Sequence, residues 1–398
     1  MKRLTDPSLT HFATVLLGVC AGLSSPYGRT EAIPHLGIFE QTISASSEWI
    51  NPYREVAATV VFTPPSGEQR TIPLFWDGEK RWTVRFSPDT VGHWQWSVSA
   101  NDPGLDGVSG SFACNGSDLK GGIRAMTGHP YHFEQEDGTP FWWMGDTNWF
   151  LLGNNPAELQ DEKAFRRYVD TRASQHFNVV HCVLLLTREN EEDPPYLDTG
   201  SQAINPAFWR QVDRRLRYAN QRGITVGLFL GWAQSWQNQF ANQEDRLRYA
   251  RYAVARLSAY NVYFVVSGEW NEWRDRQACE ALGRSVRQCD PHGRLIGIHS
   301  TESTEHFAET DGCSFGDYQQ IYSQLYAKTT TARNHNKPVI NAEYAYFLRD
   351  LDGDGLVDKP HSASLEAIRR TTHLRTGAHR GCRTGPGPVN VHGIGGPR

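Results

Sequence analysis

Apolar and polar positions follow two rhythms along the chain, and the change between them near residue 120 divides it in two. From 37 to 117 the period is two. Residues 57–63, 71–76, 82–86 and 93–98 read as strands, separated by turn signals such as Pro64-Pro65-Ser66-Gly67 and Asp77-Gly78. An Asp-Gly pair between such runs is a hairpin signal, and short strands at this spacing predict a small β-sandwich. Beyond Gly121, short β-branched runs alternate with helical periodicity. Strands are predicted at 140–147, 177–184, 224–230, 261–269, 295–299, 313–317 and 337–343, with helices between them, for example over 208–222 and 244–258. A strand buried on both faces reads as a continuous apolar run. Its repetition with helices implies a parallel sheet, and seven such units imply a (β/α)8 TIM barrel rather than an open sheet.

The eighth unit shows no evident strand. Residues 362–372 begin a helix-like stretch, and after His373 the chain becomes rich in Gly, Pro and Arg. Text without a hydrophobic period predicts an irregular tail over 373–398. The barrel is therefore expected over 122–372, lacking a normal last strand, with an open edge that is costly and prone to aggregation. A linker to something absent, or a frameshifted or truncated gene product, would explain the break. The second is preferred because the break falls within a helix. At the other end, Met1-Lys2-Arg3 and the apolar residues 12–23 read as a targeting segment over 1–30. That pattern predicts a secreted or periplasmic protein, and the apolar stretch is too short for a stable membrane span.

Composition narrows the functional classes. The net charge of −4 leaves no basic footprint, so nucleic acid is not an expected partner. The aromatic content, with 13 Trp, 15 Tyr and 18 Phe, fills cores and also supplies flat rings that stack on sugar C–H faces. The seven cysteines include no Cys-x-x-Cys, so zinc is not indicated. Cys279 and Cys289 are near enough in sequence for a disulfide in an exported protein, or are buried thiols.

Two of the predicted strands end in a carboxylate, at Glu269 and Glu343. Strand C-termini face the active site in a (β/α)8 barrel, and two carboxyl groups placed there can cleave a glycosidic bond. Glu343 is the expected nucleophile, with Tyr344 or Tyr346 as its hydrogen-bond donor. Glu269 is the expected acid/base, with Trp270 desolvating it and raising its pKa. Glu272, in the pair Asn271-Glu272, competes for that role, and helix capping or pairing with Arg is the structural alternative for these residues. Asp146, Asn148, His181, His299 and Asp317 end strands and are expected to line the pocket, with Asn271, Glu272 and Tyr344 beside them. Trp149, Trp232, Trp236 and Trp270 fall on the loops where a sugar would stack.

No cofactor is expected to be required for catalysis. The run 350–358 resembles a calcium loop through Asp350, Asp352, Asp354 and Asp358, with Gly355 at the sixth position. Position 12 is His361 rather than Glu, and a solvated acidic loop is the alternative to a structural calcium. No Gly-x-Ser-x-Gly elbow or His-Glu-x-x-His motif points to an esterase or peptidase.

Three pieces carry a resemblance to a known family: residues 143–149 (Trp-Met-Gly-Asp-Thr-Asn-Trp), 261–269 and 338–344 (Pro-Val-Ile-Asn-Ala-Glu-Tyr). The stretch 122–372 resembles the apiosidase-like glycoside hydrolase domain, and 37–113 is similar to a small β-sandwich domain of unknown function that often precedes such barrels. The resemblance implies a retaining mechanism, with the catalytic pair falling on Glu269 and Glu343. The family usually carries Gly-Asp where this chain has Gly268-Glu269. The longer side chain leaves the acid/base open between Glu269 and Glu272. The expected function is retaining hydrolysis of O-glycosidic bonds in a plant or microbial polysaccharide. A non-catalytic carbohydrate-binding barrel, suggested by the missing strand, is the alternative.

Overall fold

The computed structural model describes residues 32–153, 161–185, 194–198, 200–300, 307–317, 336–344 and 390–394; for 313–317, 341, 343–344 and 390–394 the backbone alone is described. The N-terminal unit is a sandwich. One sheet holds β1 (Ile33–Pro34), β3 (Ala58–Thr63), β4 (Arg70–Pro73), β7 (Gly92–Ala100) and β8 (Ser109–Asn115) in the order β1-β8-β7-β3-β4. The other holds β2 (Phe39–Ser44), β5 (Phe75–Trp76) and β6 (Arg81–Phe86), and α1 (Pro52–Glu55) lies between β2 and β3. Alternation explains the packing. Along β7, Trp94, Trp96 and Val98 are buried while His93, Gln95 and Ser97 face out. The inward set meets Phe39, Phe62 and Phe112 in one core.

A three-stranded sheet, β9 (Ile123–Ala125), β10 (Phe133–Gln135) and β11 (Pro140–Phe141), leads into the barrel. The strand expected over 140–147 is thus two elements: Pro140–Phe141 pairs back on β10, and the barrel begins at Met144. The barrel strands are β12 (Met144–Thr147), β13 (Val179–Val183), β14 (Thr225–Phe229), β15 (Val262–Val265), β16 (Ile296–Ser300), β17 (Gly312–Asp317), β18 (Val339–Tyr344) and β19 (Asn390–Ile394). They close in sequence order. The described helices are α2 (Glu162–Ser174), α3 (Pro206–Gln221), α4 (Ala233–Asn238), α5 (Gln243–Leu257), α6 (Trp270–Trp273) and α7 (Arg276–Cys289). On β13, Val179 and Val183 point into the barrel, and Val180 and Cys182 point at the helices.

β19 corrects the expectation of a barrel without a last strand. It pairs in parallel with β18 through Asn390 and Val391 and with β12 through Val391 to Ile394. It lies in the stretch expected to be irregular because a strand in that position needs backbone amides more than a hydrophobic period. A second correction concerns Cys279 and Cys289, which are both free and sit at opposite ends of α7. Ten residues of helix separate them by about 15 Å, far beyond the reach of a disulfide. Residues 1–31 and the candidate calcium ligands Asp350, Asp352, Asp354 and Asp358 lie outside the described residues. Among the described residues no helix is long and apolar enough to cross a membrane.

Charge fastens the sandwich to the barrel. Asp213 on α3 accepts from Arg85 of β6 (Nη1–Oδ1 2.9 Å) and from Arg256 of α5 (Nη2–Oδ2 2.7 Å). Arg256 also reaches Asp77 at 2.8 Å, and Arg85 reaches Glu40 at 2.6 Å. Both guanidiniums are almost fully buried. Burial alone would raise the Asp213 carboxyl; the two guanidiniums outweigh it and hold the group below the usual carboxylate range. Removing the shared carboxylate leaves Arg85 with Glu40 and Arg256 with Asp77 as their remaining counter-charges, both at the edge of the seam. Asp213→Asn is therefore expected to cost about 3–5 kcal/mol of stability, seen as a lower denaturant midpoint. A change under about 0.5 kcal/mol, the size of an ordinary surface substitution, contradicts this account.

A neutral histidine sits in the same seam. The buried His292 ring accepts from the Ser87 backbone N–H at Nε2 (3.0 Å), so its proton lies on Nδ1, facing Ser258 Oγ at 3.2 Å and Asp290 Oδ1 at 3.4 Å. Burial lowers its pKa, against the opposing pull of Asp290. The unfolded chain then binds this proton more readily than the folded one. The ring's contribution is full above about pH 6.5 and is lost as pH falls from there toward the folded value. Melting followed from pH 7.5 to 5 should show a shallower acid loss in His292→Gln, which keeps an acceptor for Ser87 but cannot titrate. Identical slopes in the two proteins would refute this.

Candidate active site

The C-terminal rim of the barrel carries an aromatic cluster around Glu269. The strand expected to run to Glu269 stops at Val265. Glu269 lies four residues beyond it, at φ 44° and ψ 44°, and caps α6. That left-handed conformation costs a non-glycine residue about 1–2 kcal/mol, so neighbouring contacts must hold it. The Gly268 N–H donates to Gly231 O at 2.9 Å, the Gly268 carbonyl accepts from Ala233 N at 3.1 Å, and Trp232 Nε1 donates to Glu269 Oε2 at 2.7 Å. Gly268 permits this approach: a Cβ there would stand 2.1 Å from Trp232 Cε3.

The half-buried Trp232 and Trp149 rings meet edge to face at 5.0 Å. Phe229 stacks beneath Trp232 at 5.8 Å, and His299 lies 5.8 Å from the same ring. His181 is stacked at 6.4 Å from Trp149. Deeper in the barrel, His181 Nε2 and the Tyr263 hydroxyl are hydrogen-bonded. They converge over Gly227, which stands between them in the strand register. A Cβ on Gly227 would lie 2.4 Å from the Tyr263 hydroxyl and 2.5 Å from the His181 ring.

The structure gathers Glu269, Trp149, Trp232, His181 and His299, and it places Asn148 directly after β12. There the Asn148 backbone N–H donates to His181 O at 3.0 Å. Asn271 stands behind the rim, accepting from Ser300 Oγ at 2.9 Å. Glu343, Tyr344 and Asp317 are placed by backbone at the ends of β18 and β17, with Glu343 paired to Gly316 and Tyr344 to Asp317. Tyr346 lies outside the described residues.

Four expected pocket residues are elsewhere. Asp146 faces outward, because its register partner Val180 faces the helices. Its carboxylate accepts from Tyr168 (2.8 Å) and Arg172 on α2. Trp236 is fully buried, stacked at 5.8 Å on Trp273. Trp270, expected to desolvate Glu269, is buried edge to face against Phe307 at 4.9 Å. The exposed Glu272 takes a 3.0 Å hydrogen bond from Gln234. Tyr263, Phe229, Gly227 and Gly268 were not anticipated. A glycine inside a strand, which marks a close approach of neighbouring atoms, was the available signal for Gly227. Among the described residues no group of three or more His, Cys, Asp or Glu side chains is set to hold a metal.

Residues 128–381 match the family model described as the apiosidase-like catalytic domain, and 33–101 match a domain of unknown function (DUF5060). A candidate glycoside hydrolase of known structure from Bacteroides vulgatus ATCC 8482 superposes with a TM-score of 0.73 at 20% identity, covering 91% of this chain and 72% of its own. A glycoside hydrolase family 5 protein from the same strain gives a TM-score of 0.54 at 16% identity, covering 69% and 63%. A family 5 mannosidase from Rhizomucor miehei gives 0.51 at 12% identity, covering 70% and 86%. No curated protein matches the sequence. At these identities the likeness establishes the fold, which is that of glycoside hydrolase barrels.

The Trp232–Gly268 contact makes a direct prediction. Gly268→Ala must push the indole away and should cost about 1–3 kcal/mol in thermal or denaturant unfolding, as overpacking does. Gly116→Ala, which meets open space, serves as the control and should stay within about 0.5 kcal/mol of the parent. Equal stability of the two variants would contradict the contact.

Proposed function

This chain belongs to the apiosidase-like family, and we propose that it is a retaining glycoside hydrolase acting on a plant or microbial polysaccharide. The observation that carries the reading is the shared rim: Glu269 follows β15 and Glu343 is the penultimate residue of β18, both on the C-terminal side of one barrel. In the proposed first step Glu343 attacks the anomeric carbon while Glu269 gives its proton to the leaving oxygen. Water then attacks the glycosyl-enzyme ester, with Glu269 taking its proton, and Glu343 is released. Glu269 is preferred over Glu272 because it reaches the aromatic cluster, whereas Glu272 is exposed beside Gln234. Trp149 and Trp232 supply ring surface for a sugar. The basic N-terminus and apolar run that follows support export.

The alternative of a binding-only barrel rested on a missing eighth strand, and β19 occupies that place. The test is reducing-sugar release from a panel of plant and microbial polysaccharides. The parent should release sugar, Glu343→Gln should abolish release, and Glu269→Gln should lower it by about 10²–10⁴-fold. On aryl glycosides with activated leaving groups, Glu269→Gln should lose much less in the glycosylation step, because such groups leave without protonation. Unchanged release by Glu343→Gln would overturn the assignment.

A further inference from the structure

We propose that Trp232 is a positioning residue for the acid/base carboxyl: it holds Oε2 of Glu269 unprotonated, so that Oε1 gives and takes the catalytic proton. The role named here rests on the reading of Glu269 given above. The hydrogen bond itself does not.

An indole N–H donates and cannot accept. With Trp232 Nε1 2.7 Å from Oε2, the bond is stronger when Oε2 is the carbonyl-type oxygen, since a carboxyl hydroxyl is the poorer acceptor, and this preference places the proton of the neutral acid on Oε1. Oε2 is therefore the acceptor whether Glu269 is charged or neutral. In the first step the Oε1–H bond breaks as the leaving oxygen gains that proton. In the second, an Oε1 lone pair takes a proton from water. The same donor favours the ionised carboxylate, since a hydrogen bond to the charged form stabilises it.

The donor is fixed in place. The ring lies against Gly268, where even a Cβ would intrude to 2.1 Å. Phe229 stacks on it at 5.8 Å and Trp149 closes on it at 5.0 Å. The backbones of Trp232 and Gly268 form a parallel bridge, which joins the start of α4 to the turn bearing Glu269. The left-handed backbone of Glu269 sets the other side of the bond. The titratable or charged residues on the neighbouring elements are Glu272 and Arg276 after Glu269, His181 on β13, Tyr263 on β15, His299 on β16 and, placed by backbone alone, Asp317 on β17 and Glu343 and Tyr344 on β18.

The experiment is a pH series of ¹H–¹⁵N spectra of the indole groups in the full-length protein, with no substrate present. Two indoles donate to carboxylates, Trp49 to Asp102 at 2.9 Å and Trp232 to Glu269 at 2.7 Å, and the Trp232 resonance should move through a titration step. It should be absent from Trp232→Phe and become pH-independent in Glu269→Gln. In Trp232→Phe, the ¹³C-labelled Glu269 carboxyl should titrate about one pH unit higher, the size expected for losing a hydrogen bond to a charged group. Should Trp232→Phe fold poorly, the parent and Glu269→Gln spectra decide the matter. A Trp232 indole that does not titrate in the parent, or that still titrates in Glu269→Gln, overturns the proposal. Sugar release without a titrating Trp232 indole would sink the positioning role alone. A titrating Trp232 indole without hydrolysis would sink the glycosidase reading and leave the oxygen assignment as a property of the carboxyl.

Discussion

Closure of the eight-stranded sheet is the constraint on which the rest of this molecule depends. A parallel sheet buried on both faces has no water with which to satisfy an unpaired edge. β19 satisfies the edges of β12 and β18 together, and its pairing needs backbone rather than large side chains. Once the ring is closed, every strand ends on the same rim. Glu269 and Glu343, 74 residues apart in sequence, thereby come to share one face of the protein. The register that closes the ring also decides which side chains enter the barrel. Thr147 and His181 pair across β12 and β13 on the inside, and Asp146 is turned out to Tyr168 and Arg172.

Much of this was legible in the chain. Alternation in 93–98 gave the sandwich strand because one face is solvated, and the unbroken apolar runs gave the barrel strands because both faces are buried. His299 was readable from its place near a strand end, whereas His181, expected at the end of its strand, stands in the middle of β13 with its ring inside the barrel. Asp146 was misassigned by one residue of parity, since Trp143 points into the barrel and Gly145 and Thr147 share its face. Trp236 and Trp270 were misplaced because a loop position does not reveal helical phase: both belong to short helices that bury them. β19 was missed because Val391 and Ile394 among glycines make no hydrophobic pattern. The Trp232–Glu269 bond joins two loops after neighbouring strands, and a contact between loops leaves no periodic pattern in the chain.

The sandwich is more than an appended module. Its β6 contributes Arg85 to a carboxylate on α3, and its α1 contributes Arg54 to Asp245 on α5 at 2.8 Å. Buried charges of this kind are weak sources of net stability but are sensitive to geometry, since either partner alone is heavily penalised. They fix how α3 and α5 sit against the barrel. Arg215 on α3 in turn donates to Leu151 O at 2.9 Å and to Gly153 O at 2.5 Å, on the loop that follows Trp149. Polar contacts thus link the sandwich, through α3, to the loop that follows Trp149.

The central claim is that the two rim carboxylates act as a nucleophile and an acid/base on one glycosidic bond. Covalent trapping tests it most directly. An activated 2-deoxy-2-fluoro glycoside of the released sugar should form a stable ester, because fluorine slows both steps and a good leaving group restores only the first. Peptide mass spectrometry should then locate the added mass on Glu343, with none in Glu343→Gln. An adduct on another carboxylate, or turnover of the natural substrate with no trappable ester, would contradict the account.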